Sequence, residues 1–379
     1  LFVTALSINI GILIWFKCRG GSAGLPLGIS FYTFQILSYL IDVYRGDADR
    51  EYSFLKFATY VVMFPKLISG PITRYGEVKD SLYNRTFTMQ GLEDGMKLFV
   101  LGLAAKVLLA DRVGILWHEV QVTGFESIST PLAWLAAIAY SMEIYFDFWG
   151  YSLMAMGLGR MMGIELPANF RRPYMARSVR DFYRRWHMTL GQWFCRYVYI
   201  PLGGSRQGEL RTIFNLLVVW MLTGIWHGAG WNFLFWGLWF AFFLILEKLF
   251  LGDILESVPK VFGRIYTLAV VLISWVFFAL ESPGEILAYL QAMFGMNGIG
   301  PVNSLAMFLC NEYLVLLVIA LVACLPLGSR LVHALKSSKT GPAMALYRLG
   351  EKVIPAVLLL LSVAYIVDAS YNPFLYFRF

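Results

Sequence analysis

The stretch Asn215-Leu-Leu-Val-Val-Trp-Met-Leu-Thr-Gly-Ile-Trp-His227-Gly-Ala-Gly-Trp231-Asn-Phe-Leu-Phe-Trp-Gly-Leu-Trp-Phe-Ala-Phe-Phe-Leu-Ile-Leu246 decides how this chain folds. Its 32 residues include no Asp, Glu, Lys or Arg. Such a run has lipid, not water, as its solvent, since a helix needs only about 20 apolar residues to cross a bilayer. Four small residues, Gly224, Gly228, Ala229 and Gly230, surround His227 and break the run there. A break at membrane depth frees backbone groups that hydrocarbon cannot satisfy, so it is tolerated where it is buried in protein or lines a wet cavity. His227 is therefore expected at an internal cavity. An isolated buried histidine is ordinarily a hydrogen-bonded core residue, but an ionisable side chain within membrane sequence is a functional candidate by default.

Outward from this stretch the same pattern recurs. Apolar segments near 1–16, 25–44, 53–70, 91–117, 131–163, 211–227, 231–251, 262–281, 304–326 and 350–368 predict about eight to ten passes. The predicted fold class is an all-α polytopic membrane helix bundle. Composition agrees: of the 379 residues, 59% are hydrophobic and 15% charged, against about a quarter charged in a soluble domain. Mean hydropathy is +0.64. No low-complexity linker divides the chain, so residues 1–379 are expected to form one domain. Leu1 is not a start methionine and Leu1 to Trp15 is already apolar, so the sequence is expected to begin partway into a longer protein. No repeat of 20 to 50 residues is visible, which argues against a transporter built from inverted halves. Cys18, Cys195, Cys310 and Cys324 lie far apart without metal-ligand or redox spacing, so they read as packing residues and no metal is expected.

Charge is concentrated in one place. From Arg160 to Arg211 there are ten arginines against Glu165, Asp181 and Glu209, a net +7 that equals the whole chain's +7. This connection should face the cytoplasm. It is either a topology signal on anionic lipid or a basic rim for a phosphate-bearing donor. Within it, Ser178 to Phe194 reads as one amphipathic helix lying in or dipping into the interface. Phe182, Trp186, Leu190 and Trp193 share an apolar side, while Arg180, Arg184 and His187 share the other. His118 and His333 lack such a setting. Glu143 and Asp147, four residues apart in an apolar stretch, share a helix face. They could do acid/base work, but the structural or tunnel-lining reading, in which they line a polar path or hold bundle residues such as Lys106 or the nearby arginines, is favoured.

Five motifs in order give these residues a family likeness: Phe64-Pro-Lys-Leu-Ile-Ser-Gly-Pro-Ile, Tyr145-Phe-Asp-Phe-Trp-Gly-Tyr-Ser, Phe182-Tyr-Arg-Arg-Trp-His, Tyr197-Val-Tyr-Ile-Pro-Leu-Gly-Gly-Ser-Arg and Gly224-Ile-Trp-His-Gly-Ala. With the closing Asn372-Pro-Phe-Leu-Tyr-Phe-Arg-Phe, the chain resembles the membrane-bound O-acyltransferases, in the branch that acetylates alginate. The resemblance implies helices around a central tunnel, with interfacial or re-entrant helices among them. It also implies catalysis by His227 in the Trp-His-Gly motif, with His187 as the second catalytic position. Acetyl-CoA or another acyl thioester would be the donor, with no bound cofactor. The partners implied are the lipid bilayer, an extracytoplasmic acetylation protein or a polysaccharide acceptor, and no nucleic acid; the location is the cell membrane. The chain departs from many relatives at Trp149, Leu153 and Cys195-Arg196.

Thioester chemistry suits these residues. The enzyme must position a hydroxyl and take its proton, and an imidazole with an unperturbed pKa of about 6.5 can take and return one near neutral pH. His227 is expected to act as the general base, with His187 orienting it, holding substrate or assisting proton movement. Arg180, Arg184, Arg185 and Arg206 are candidates to bind the donor's phosphates. No Walker-type loop is present, so nucleotide hydrolysis is not expected. The alternative is a channel or flippase without acyl-transfer chemistry, or a scaffold for a soluble transferase.

Overall fold

Nine of the ten apolar stretches become helix in the structure, a computed structural model that describes residues 1–18, 26–300, 303–338 and 340–368. The motif Asn372 to Phe379 lies outside the described residues. No strand occurs among the described residues. Glu209–His227, Trp231–Ser257, Lys260–Ala279, Ser304–Cys324 and Gly341–Asp368 are each long and apolar enough to cross a membrane unaided. Phe2–Cys18 is an apolar helix of 17 residues, and Ile29–Arg45, of the same length, also carries Gln35, Asp42 and Arg45. Helix runs without interruption from Met89 to Thr123, passing through a π-helical segment at Ala105–Ala110. Helix Thr130–Met161 has 32 residues and buries Ala133, Ala137, Phe146 and Phe148 in the main hydrophobic core.

The stretch 53–70 behaves differently from its hydropathy. It forms only the eight-residue helix Phe54–Val61 and a short 3-10 turn at Phe64–Lys66, about 12 Å of α-helix at 1.5 Å per residue. Pro65 cannot extend the helix, since it has no backbone N–H to donate to the carbonyl four residues back, that of Val61. Lys66 is wholly buried, and its ammonium donates to Gln35 Oε1 at 2.7 Å and Thr73 Oγ1 at 2.9 Å. Pro65, Lys66, Ser69 and Gly70 are buried, so the motif is a turn packed in the protein rather than a pass.

Glu143 and Asp147 both face the Met89 to Thr123 helix. Lys106 Nζ lies 2.6 Å from Asp147 and 2.7 Å from Asp111, which ties the Met89 to Thr123 helix to Thr130–Met161. The Glu143 carboxyl packs over Gly114 on the same facing helix. The cysteines depart from the packing expectation: Cys18, Cys195 and Cys310 are exposed, and Cys324 alone is buried.

The break at His227 is the turn of a helical hairpin. Helix Glu209–His227 ends there, Gly228 is extended, and the next helix starts at Trp231. The two helices run antiparallel and close together. A Cβ at Gly224 would stand 2.5 Å from the Phe233 carbonyl oxygen, and one at Gly237 would strike the Trp220 carbonyl. Small residues at such contacts let membrane helices approach backbone to backbone.

Candidate functional site

His227 is the last residue of its helix, where carbonyl groups have run out of intrahelical partners. Its Nδ1 lies 2.7 Å from the Thr223 carbonyl oxygen, one turn back. A carbonyl can only accept, so Nδ1 carries the hydrogen and Nε2 keeps its lone pair. The neighbouring Trp226 carbonyl accepts from the Lys17 ammonium, a cation at the negative end of the helix dipole. Aromatic rings fix the imidazole plane: Trp226 and Trp236 stand edge-on, with centroids at 4.8 and 4.7 Å, and Phe278 at 5.6 Å.

His187 reaches the same region by another route. The single helix expected over Ser178 to Phe194 is two, Val179–Tyr183 and Met188–Phe194, with His187 between them at φ 43° and ψ 52°. That left-handed conformation costs a non-glycine residue roughly 1 to 3 kcal/mol, and surrounding contacts must hold it. Phe182, Trp186, Leu190 and Trp193 are buried and Arg180 and Arg184 exposed, as the helical wheel requires. The turn carries His187 off the basic side into the interior, where it is 3% exposed. Its Nδ1 lies 3.1 Å from Asn169 Oδ1, which also accepts from the Thr189 hydroxyl at 3.0 Å. The Phe148 ring meets the imidazole edge-on at 4.7 Å. Among the described residues Nε2 has no hydrogen-bond partner.

Both imidazoles line one cavity of about 410 Å³. Trp220, Trp236, Leu190 and Val219 make much of its wall apolar, and Arg180 and Arg184 stand at its exposed side. Arg180 is set by Glu247, a buried carboxylate that accepts from the backbone N–H of Val179 at 2.6 Å and of Arg180 at 3.0 Å. Arg185 is ion-paired to Asp181 at 2.8 Å and does not line the cavity. Arg206 is exposed and also outside the lining, as are Glu143 and Asp147. The structure thus brings together two histidines and two of the four proposed donor-binding arginines.

Sequence reasoning missed Asn169, Glu247, Lys17 and Trp236. Glu247 carried a signal, as the first carboxylate after an uncharged 32-residue run. Asn169 carried none. His118 and His333 are exposed, the latter on the helix Leu327–Ser337.

Two imidazoles lining one cavity suit proton transfer to or from a bound hydroxyl. Comparison with known proteins identifies the class of chemistry. The sequence pattern described as MBOAT, membrane-bound O-acyltransferase family, matches residues 12–283. The chain belongs to the membrane-bound O-acyltransferase family. It is similar to the probable alginate O-acetylase AlgI of Pseudomonas putida, with 37% identity over 371 residues, 94% of this chain and 75% of that protein. The Pseudomonas aeruginosa protein of the same name is 40% identical over 276 residues, 72% of this chain and 52% of that protein. A peptidoglycan O-acetyltransferase of Helicobacter pylori is 34% identical over 308 residues, 73% of this chain and 58% of that protein. The chain therefore spans three quarters of the first of these relatives and little more than half of the other two. The protein is a multi-pass membrane O-acyltransferase that takes its acyl group from an acyl donor.

Proposed function

We propose that this acyltransferase passes acetyl from a cytoplasmic thioester, acetyl-CoA in the simplest case, to a hydroxyl of an envelope polysaccharide or to an envelope acetylation partner. The observation that carries the proposal is the single cavity reaching both His187 and His227 from a side edged by Arg180 and Arg184. His227 Nε2 acts as general base on the attacking hydroxyl, since its Nδ1 is committed to Thr223. His187 holds the acceptor or relays its proton through Nε2. The two arginines meet the donor's phosphates, and the apolar wall receives the acyl group and the donor's thiol arm. The named activities of the relatives, on alginate and on peptidoglycan, support a polysaccharide acceptor. The cell membrane is the proposed location, with residues 1–379 acting as one domain.

The test is transfer of ¹⁴C-acetyl from acetyl-CoA to alginate or peptidoglycan oligosaccharides by the purified full chain. Label transfer that His227→Ala abolishes, with expression and melting temperature retained, supports the assignment. Undiminished transfer by the variant contradicts it. Lipid-vesicle flux of substrate with no label transferred points to the channel reading, and partner binding without transfer points to a scaffold.

A further inference from the structure

Besides His187, Trp236 brings an uncommitted polar group to the residues that line the cavity. Trp236 lies on the second helix of the hairpin, 2% exposed, with its ring centroid 4.7 Å from that of His227. Its indole Nε1–H has no hydrogen-bond partner among the described residues. Several other tryptophans in the bundle are paired: Trp193 donates to the Phe34 carbonyl at 3.0 Å, Trp239 to Val270 at 3.0 Å and Trp134 to Met293 at 2.9 Å, whereas Trp275, whose Nε1 also lacks a partner among the described residues, does not line the cavity. A buried donor left unpaired costs about 1 to 3 kcal/mol, so a group that a substrate satisfies is a reasonable explanation for one kept beside a candidate base. The nearby Thr223 hydroxyl is already used, donating to the Val219 carbonyl at 2.7 Å. His227 Nε2 and His187 Nε2 are both acceptors in the tautomers their Nδ1 partners favour.

We infer that the Trp236 indole N–H is the donor that holds the acyl carbonyl oxygen while negative charge builds on it. The inference rests on the reading of His227 as general base. In the step, the acceptor hydroxyl oxygen bonds to the carbonyl carbon and its proton passes to His227 Nε2. The carbonyl π electrons move onto the oxygen facing Trp236. As the tetrahedral species collapses, the carbon–sulfur bond breaks, the thiolate leaves, and the proton on His227 passes to sulfur. The products are an ester and a free thiol, and the base is regenerated. Trp236 remains neutral throughout and gives only a hydrogen bond, which an apolar wall strengthens.

The experiment replaces Trp236 in the full chain with 3-benzothienylalanine, which keeps the bicyclic shape and has sulfur in place of N–H; Trp236→Phe serves as a second variant. Acetyl transfer from acetyl-CoA is compared with transfer from dithioacetyl-CoA, whose thiocarbonyl sulfur is a poor acceptor. The inference predicts kcat for acetyl-CoA lowered by about 10²-fold or more in the isostere, with KM and melting temperature held. The slowing that wild type shows on dithioacetyl-CoA should shrink in the variant. Wild-type kcat in the isostere, or an undiminished slowing on the dithioester, would overturn it. His227→Ala is run in parallel: its retained activity would defeat the general-base reading, whereas its loss beside an unaffected isostere would defeat only the role of Trp236.

Discussion

The two histidines reach one cavity from seats of opposite kinds. His227 is held locally: its partner is a main-chain carbonyl four residues earlier, at the end of a regular helix. His187 is held by a side chain from a different segment, Asn169, across a left-handed break in the backbone. The first seat is made by helix geometry and cannot be removed by trimming a side chain. The second exists only when residues 169 and 189 arrive together. One site therefore combines a base whose tautomer is built into its helix with a second imidazole whose orientation depends on tertiary packing.

This contrast can be broken or sharpened by substitution. The largest effect is expected for His227→Ala, with transfer falling about 10²- to 10⁴-fold, the span typical of a lost general base; the label assay measures it. Asn169→Leu removes the acceptor shared by His187 and Thr189. It should lower kcat about 10- to 100-fold, from the cost of about 1 to 3 kcal/mol for stranding buried donors, and steady-state kinetics against wild type will show it. Glu247→Gln weakens the cap beneath Arg180. Its effect should fall on KM for acetyl-CoA, raised roughly three- to tenfold, as expected for one charge-assisted contact to backbone N–H, with kcat held. The smallest effect is expected for Thr223→Val. It deletes a hydroxyl bonded to Val219 and leaves the carbonyl that binds His227, so kcat should stay within about threefold of wild type, the range of a hydrogen bond worth under about 1 kcal/mol. A large loss there would mean that the hydroxyl, not the main chain, sets the base.

The same contrast explains what was legible in the sequence. The helices were legible because apolar runs of membrane length permit little else, and His227 because small residues stood where a helix should have continued. The stretch 53–70 misled because hydropathy does not register Pro65, or that Lys66 would find Gln35 and Thr73 inside the protein. The single helix expected through His187 fails because a helical wheel assumes that the helix continues, and nothing local announces a left-handed histidine. Arg185 could have been set apart from Arg180 and Arg184, since Asp181 lies four residues before it and claims it. Glu247 stood out as the first carboxylate after the uncharged run, but its partners Val179 and Arg180 lie far back in the chain, and Trp236 became visible only once the hairpin was folded, because what matters about it is a partner missing.

The central claim is that acyl transfer takes place in the cavity holding both imidazoles. Cys195 lines that cavity and is exposed, so a bulky maleimide placed on it would occlude the route to His227. The decisive measurement titrates the purified protein with pyrenylmaleimide, follows modification of Cys195 by peptide mass spectrometry and records acetyl transfer in the same samples. Transfer should fall in proportion to Cys195 modified, acetyl-CoA should slow that modification, and Cys195→Ser should keep its activity through the same treatment. Full modification of Cys195 with undiminished transfer would contradict the account.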